Sequence, residues 1–179
     1  FSLFRRSLQP ERIEYCRAEL LPDCLVGSLA VPDKTHPLHL AFSLAFYLDR
    51  GQLILAADEQ TLPALQSLLF PEEPLDTSDV FHLFFSFLES LIQEDMLYLQ
   101  NFEKRLATIE ESLLDTLPKE LQRTLITIRR ELLVFHANYQ QLLDMCEILS
   151  EDENHFLPPE CARQFSRLGN RVDRLYDHT

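Results

Sequence analysis

Glycine is scarce in this sequence, with three residues in a chain of 179. Turn-rich β architectures use glycine where the backbone needs positive φ, so the scarcity disfavours them. Leucine and phenylalanine are plentiful instead, and this composition favours long helices. Hydrophobic residues make up 46% of the chain and charged residues 25%, which are ordinary values for a globular protein and exclude wholesale disorder.

Basic residues are also few, since 16 Lys and Arg stand against 29 Asp and Glu. The resulting formal net charge is −13 at pH 7. Phosphate binding needs a basic surface, so the charge argues strongly against nucleic acid as a partner. It is compatible with cations, with basic protein partners, or with solubility alone.

Cysteine is sparse and shows no site-like spacing. The four cysteines, Cys16, Cys24, Cys146 and Cys161, include no C-x-x-C pair, and they are too few for a disulfide scaffold. We expect thiols in a reducing compartment and no secretory signal peptide. Enzyme motifs are missing as well: no phosphate-binding loop, G-x-S-x-G or H-E-x-x-H occurs, so we expect no enzymatic activity.

Long hydrophobic runs are lacking too. The most apolar stretch, VFHLFFSFLESLI, is interrupted by His82, Ser86 and Glu89. A membrane-spanning helix needs about 20 apolar residues. We therefore expect this part of the protein to be soluble.

Residues 1–75 predict a small α/β subdomain with a mixed sheet. Strands are expected in FSLFRRSL, ERIEYC and CLVGSLAVP. Residues 38–48 alternate strictly between apolar and smaller or polar side chains, which predicts a half-buried strand. A turn follows in which Gly51 is available for positive φ, and QLILAA is the expected partner strand. Asp58 is then placed to cap a helix that covers the sheet.

Residues 76–179 predict a long antiparallel three-helix stalk. The break PEEPLDTSD marks the boundary and offers Thr77 and Ser78 as helix caps. Helices are expected at about 79–117, 118–150 and 159–179, with Pro118 in a first turn. The second helix repeats apolar residues at alternating steps of four and three, which is typical of a coiled-coil seam; these are Leu121, Leu125, Ile128, Leu132, Phe135, Tyr139, Leu142, Cys146 and Leu149. The predicted fold class is therefore α+β.

Three features follow one another along this stalk. The first helix carries the paired acids Glu94 and Asp95, the second carries Arg129 and Arg130, and the third ends on the tripeptide YDH at 176–178. This order, with the strand pair FYLDRGQLILAADE before it, resembles the cytoplasmic N-terminal domain of CorA-like magnesium transporters. The agreement covers the chain from about Ala45 onwards.

The resemblance implies a regulatory domain that senses cytoplasmic cations and gates a pore through the packing of protomers. It implies a homopentamer on the cytoplasmic side of the cell membrane, with its own transmembrane segments absent here and the last helix truncated before the membrane. Mg²⁺ or another divalent cation would be the transported and regulatory ion, and no cofactor is required.

The resemblance also implies candidate metal ligands on the last helix. The family's sensor commonly has an acid three positions before the aspartate that matches Asp177, but this chain has Arg174 there and Asp173 one position earlier. We name Asp173 and Asp177 as metal ligands. The alternative is that both are solvated helix charges, with Asp177 paired to Arg174.

Several alternatives stay open from the sequence. The chain would also suit a related zinc exporter, or a soluble coiled-coil scaffold that binds a partner helix. Glu94 and Asp95 form either a metal pair or a solvated face. The acid-rich run EDEN at 151–154 is expected to be a capping loop rather than a calcium loop. His82 and His136 are expected at a core or interface.

Overall fold

An antiparallel sheet forms the first part of the described chain. The computed structural model describes residues 13–69, 79–112 and 119–179. The strands are β1 (Arg17–Leu20), β2 (Leu25–Pro32), β3 (Leu40–Leu48) and β4 (Leu53–Ala57), in the order β1-β2-β3-β4. All three ladders are antiparallel, so the expected mixed sheet is wrong for residues 13–69. Short connections place each strand beside the one before it, and such hairpins are antiparallel.

The segment before β1 differs from the predicted strand. FSLFRRSL lies outside the described residues. The strand expected in ERIEYC is wrong for its described residues 13–16, because the first strand, β1, begins after them at Arg17. The backbone N–H of Cys16 donates to Gln141 Oε1 at 2.8 Å, and the carbonyl of Tyr15 accepts from Ser28 Oγ at 3.0 Å. These backbone groups bond to side chains, and no ladder forms there.

Strand β3 is buried on both faces in its second half. Leu44, Phe46 and Leu48 are fully buried, as their alternation predicts, and Ala45 on the opposite face is only 1% exposed. Leu40, at the start of the strand, is 44% exposed. The core therefore lies under the second half of β3.

The β3–β4 turn depends on an aspartate rather than on glycine. Asp49 Oδ1 accepts from the backbone N–H groups of Gly51 at 2.8 Å and Gln52 at 3.0 Å. Gly51 does not have positive φ, contrary to expectation. The bond from Gly51 is the main reason that the pKa of Asp49 lies below its ordinary value.

The described helices are α1 (Leu62–Leu69), α2 (Val80–Leu91), α3 (Asp95–Ser112), α4 (Lys119–Glu151) and α5 (Pro159–Asp177). The first stalk helix, expected to be continuous over 79–117, is two helices. Backbone bonds from Ile92 to Glu89 and from Gln93 to Ser90 span three residues rather than four, so the helix tightens and ends there. The expected boundary at residue 75 and Pro118 lie outside the described residues.

Helix α2 begins at a cap other than those expected. Asp79 accepts from the N–H groups of Phe81 and His82, whereas Thr77 and Ser78 lie outside the described residues. Asp58 accepts from the N–H of Thr61 at 2.7 Å ahead of α1, which confirms its predicted capping role.

Helix α4 packs antiparallel to both α3 and α5, around a core shared with the sheet. The rings of Tyr98 on α3 and Phe135 on α4 lie 4.9 Å apart, and Phe84 on α2 contacts Phe46 of β3 at 4.9 Å. Six predicted seam residues of α4 are buried, namely Ile128, Phe135, Tyr139, Leu142, Cys146 and Leu149. None of the helices within the described ranges combines the length and the apolar content that a membrane crossing requires.

Candidate functional site

The two predicted ligands lie one turn apart near the end of α5. Asp173 and Asp177 are both exposed, and so is Arg174 between them. In the described part of the chain, Asp177 makes no ion pair with Arg174, so its carboxylate is available to another partner.

A single copy of the chain brings few other ligands to these acids. Over residues 13–69, 79–112 and 119–179, no group of three or more His, Cys, Asp or Glu side chains is arranged to hold a metal ion. Calcium takes about six to eight oxygen ligands, and magnesium about six, some of them water. As a metal site, Asp173 and Asp177 would be an open half-site, and their role as ligands stays a prediction.

The end of α5 is fixed to α4 by an aromatic stack. The ring of Tyr176 lies over that of His136 with centroids 4.2 Å apart and an angle of 26°. His136 Nδ1 is also 2.9 Å from Thr179 Oγ1. His136 is therefore an interface histidine, as predicted.

Two further polar contacts join α5 to the other helices. His178 Nδ1 lies 3.0 Å from Glu103 Oε1 on α3. The guanidinium of Arg171 pairs with Glu89 on α2. The exposed carboxylates of Asp173 and Asp177 consequently lie on a helix whose position is set by three neighbours.

The predicted acid pair on the first stalk helix is split by the fold. Glu94 is exposed, whereas Asp95 is only 5% exposed. Lys34 Nζ lies 2.6 Å from Asp95 Oδ1, and the hydroxyl of Tyr139 donates to Asp95 Oδ2 at 3.0 Å. Burial, and next the charge of Asp95, raise the pKa of Tyr139 above its ordinary value. A metal pair and a wholly solvated face are both wrong for Asp95.

Sequence reasoning missed this buried cluster of Lys34, Asp95 and Tyr139. One signal was present: a tyrosine in an apolar helix seam needs a hydrogen-bond partner when it is buried. The seam spacing places Tyr139 in the core, and an acid on the packed helix is a suitable acceptor. Lys34 comes from the β2–β3 connection, which no local pattern links to α3.

The EDEN run is a capping loop, as expected. Asp152 is buried with φ of 41°, and its carboxylate accepts from the N–H groups of Phe156 at 2.9 Å and Leu157 at 3.0 Å. Asn154 Nδ2 donates to the carbonyl of Leu20 at 2.9 Å, which ties the loop to β1. The loop therefore follows the end of α4 at Glu151 and is tied to the sheet, whereas α5 begins at Pro159 without a side-chain cap.

Asp173 also borders a groove between α4 and α5 with a volume of about 320 Å³. Leu143, Cys146 and Phe165 are its apolar lining, and its carboxylates come from Asp144, Glu147 and Asp173. We call this the acidic groove. The sequence did not predict it, because it depends on the register of the two helices.

A family model described as "CorA-like Mg2+ transporter protein" matches residues 15–179. The chain belongs to the CorA-like family. A comparison with curated proteins gives no significant match.

Solved structures share this fold. The soluble domain of CorA from Methanocaldococcus jannaschii is 18% identical, with a TM-score of 0.75, over 99% of this chain and 71% of that one. The complete CorA magnesium transporter of the same organism is 20% identical, with a TM-score of 0.75, over 99% of this chain and 56% of that one. The cytoplasmic domain of ZntB from Vibrio parahaemolyticus is 14% identical, with a TM-score of 0.72, over 99% of this chain and 70% of that one. The chain thus spans little more than half of the complete transporter.

Proposed function

We propose that this chain is the regulatory domain of a transporter for Mg²⁺ or another divalent cation. It lies on the cytoplasmic side of the membrane, senses cations there, and gates the pore through the packing of five copies. Membership of the CorA-like family over residues 15–179 is the observation that carries this proposal. The same membership favours a transporter over a soluble scaffold.

The sensing step rests on the open half-site of Asp173 and Asp177. One copy offers two exposed carboxylates one turn apart, and a bound divalent ion takes its remaining ligands from water or from a neighbouring copy. Arg174 cannot be a ligand, and its positive charge lowers the local affinity for a cation. The site is therefore suited to weak, millimolar binding.

The gating step follows from charge. Each copy carries a formal charge of −13, so several copies around one axis repel each other. A cation bridging carboxylates of adjacent copies offsets this repulsion and favours the packed arrangement. Loss of the cation lets the copies separate, which is a population shift linked to ion occupancy. Because α5 is fixed to α2, α3 and α4, such a movement displaces each copy as one body.

Hydrogen exchange tests the sensing step. We expect the amide exchange of the last two turns of α5 to slow severalfold when millimolar Mg²⁺ replaces Na⁺ at constant ionic strength. The double variant Asp173→Asn/Asp177→Asn should lose this response. Zn²⁺ in place of Mg²⁺ tests whether the site prefers the ion of a zinc transporter.

The matched control is Glu160→Gln, which removes an exposed acid from the first turn of the same helix. It should respond to Mg²⁺ like the unsubstituted chain. Equal protection with and without Mg²⁺ in the unsubstituted chain would contradict the sensor. So would a response that survives in the double variant.

A further inference from the structure

The acidic groove has the features of a docking surface. Its lining residues include no lysine or arginine, so the carboxylates of Asp144, Glu147 and Asp173 face solvent without a basic neighbour in the lining. Leu143 is partly exposed in this lining, whereas Cys146 and Phe165 are buried. The exposed surface of the groove is therefore mainly acidic and polar, which is complementary to a helix that carries basic residues.

Helix α5 carries such residues on its outer side. Arg163, Arg167 and Arg174 are exposed, and within the described residues none of them makes an ion pair. Arg171 differs, because it pairs with Glu89 of the same chain. We call the first three the arginine row.

The lengths of the two surfaces agree. At a rise of about 1.5 Å per residue, the arginine row spans about 16 Å from Arg163 to Arg174. On α4 the groove extends from Gln140 to Ser150, which is about 15 Å. At about 100° per residue, the row lies about 60° around α5 from the groove-lining residues Ser166 and Asn170. Within the described residues the row makes no ion pair with the groove acids of its own chain, so both sets of charges are open to another molecule.

We propose that the acidic groove of one copy receives the arginine row of α5 from a second copy. The contact is head-to-tail, because the two surfaces are different. This inference rests on the proposed function, in which copies of the chain pack together, and it names the surfaces that meet. Local attraction at this contact also directs which faces meet while the net charge of −13 keeps the copies apart elsewhere.

A charge swap tests the contact. The groove variant Asp144→Lys/Glu147→Lys and the row variant Arg163→Glu/Arg167→Glu each place like charges on both surfaces. We expect each variant to raise the dissociation constant of self-association at least about tenfold, as measured by sedimentation velocity. In an equimolar mixture the two variants should pair with each other, with an affinity within about threefold of that of the unsubstituted pair, because the groove of one variant then meets a row of opposite charge on the other. Pairing is the quantity compared, because a closed ring of five would keep at least one contact between like charges.

The matched control is Glu59→Lys/Glu94→Lys, which changes the net charge equally at exposed acids outside the groove. It should not weaken association as the groove variant does. All substituted residues are exposed, so the variants should unfold within about 0.5 kcal/mol of the unsubstituted chain, as urea titration will verify.

Three results would overturn the docking surface: a monomeric chain up to millimolar concentration, variants that associate normally, or a mixture that fails to recover. Asp173 is left intact in every variant. Association that depends on Mg²⁺ but is unaffected by the charge swap would therefore contradict the docking surface and support the cation sensor. Association that the mixture restores but that does not respond to Mg²⁺ would support the docking surface and contradict the cation sensor.

Discussion

Neutralising Asp95 is expected to destabilise the protein strongly. Its carboxylate is almost fully buried between Lys34 Nζ at 2.6 Å and the hydroxyl of Tyr139 at 3.0 Å. Asp95→Asn keeps the shape of the side chain but removes the charge that both partners face. The amine of Lys34 then loses its counter-ion, and the hydroxyl of Tyr139 keeps only a neutral acceptor.

The expected cost follows from burial. Removing one partner of a fully buried ion pair costs about 3–5 kcal/mol. The side chain of Lys34 is 34% exposed, so water recovers part of that cost, and we expect about 2–3 kcal/mol. Tyr139→Phe, which removes one hydrogen bond to a charged group, should cost about 1.5 kcal/mol. Since a domain of this size is stable by about 5–15 kcal/mol, either loss is measurable.

Urea unfolding followed by circular dichroism measures these values, with unchanged m-values as evidence that both states stay comparable. The double variant Asp95→Asn/Tyr139→Phe should cost about 1 kcal/mol less than the sum of the single variants, because the residues are in contact. Glu94→Gln is the control and should change stability by less than about 0.5 kcal/mol. A cost for Asp95→Asn as small as that of Glu94→Gln would refute the argument, as would strict additivity.

Three more outcomes are expected. Gly27→Ala should lower the free energy of unfolding by about 3 kcal/mol, because a Cβ at Gly27 would lie 2.2 Å from the carbonyl oxygen of Arg17. Gly51→Ala is the control, since a Cβ there meets nothing closer than 3.7 Å. Equal melting temperatures for the two variants would contradict this prediction. A thiol reagent near pH 8 should label half-exposed Cys24 before buried Cys16, whose pKa burial raises to about 11, and equal rates in the folded chain would be the wrong result. Burial opposes ionisation of Asp79, but its hydrogen bonds outweigh that effect and lower its pKa. The ionised carboxylate therefore stabilises the folded state above the unfolded pKa of about 3.9, and this contribution is lost as pH falls through the folded pKa. The difference in the free energy of unfolding between the unsubstituted chain and Asp79→Asn should shrink in urea titrations from pH 7 to pH 3.

Long periodic segments could be predicted because the spacing of their apolar residues indicates which side chains are buried. The seam of α4 keeps steps of four and three, and residues such as Phe135 and Leu149 are buried accordingly. Strand β3 was found from its alternation. The break between α2 and α3 was missed because Ile92 and Met96 continue the apolar repeat across it. The turn there is visible only as backbone bonds that span three residues.

Features formed by residues that are far apart in the sequence could not be predicted from local sequence patterns. The burial of Asp95 depends on Lys34 in a strand connection and on Tyr139 in another helix. The acidic groove depends on how closely α5 approaches α4, where a Cβ at Gly169 would stand 3.3 Å from that of Cys146. Asp173 and Asp177 were located by resemblance. The exposure of both suits their predicted role, and metal binding stays a prediction.

The cysteines are free thiols, as the sequence predicts. All four cysteines lie in the described residues, and no disulfide joins them. Burial raises the pKa of Cys16 to about 11 and that of Cys146 to about 12, so these two thiols are held protonated and unreactive. Their side chains pack in the core.

Sedimentation velocity with and without Mg²⁺ tests the central claim most directly, namely that divalent cations hold copies of this chain together. The chain is compared in millimolar Mg²⁺ and in chelator, with Na⁺ added to equal ionic strength so that general screening is the same. We predict a shift to larger species in Mg²⁺ that Asp173→Asn/Asp177→Asn abolishes. Identical distributions in the two buffers would contradict the account.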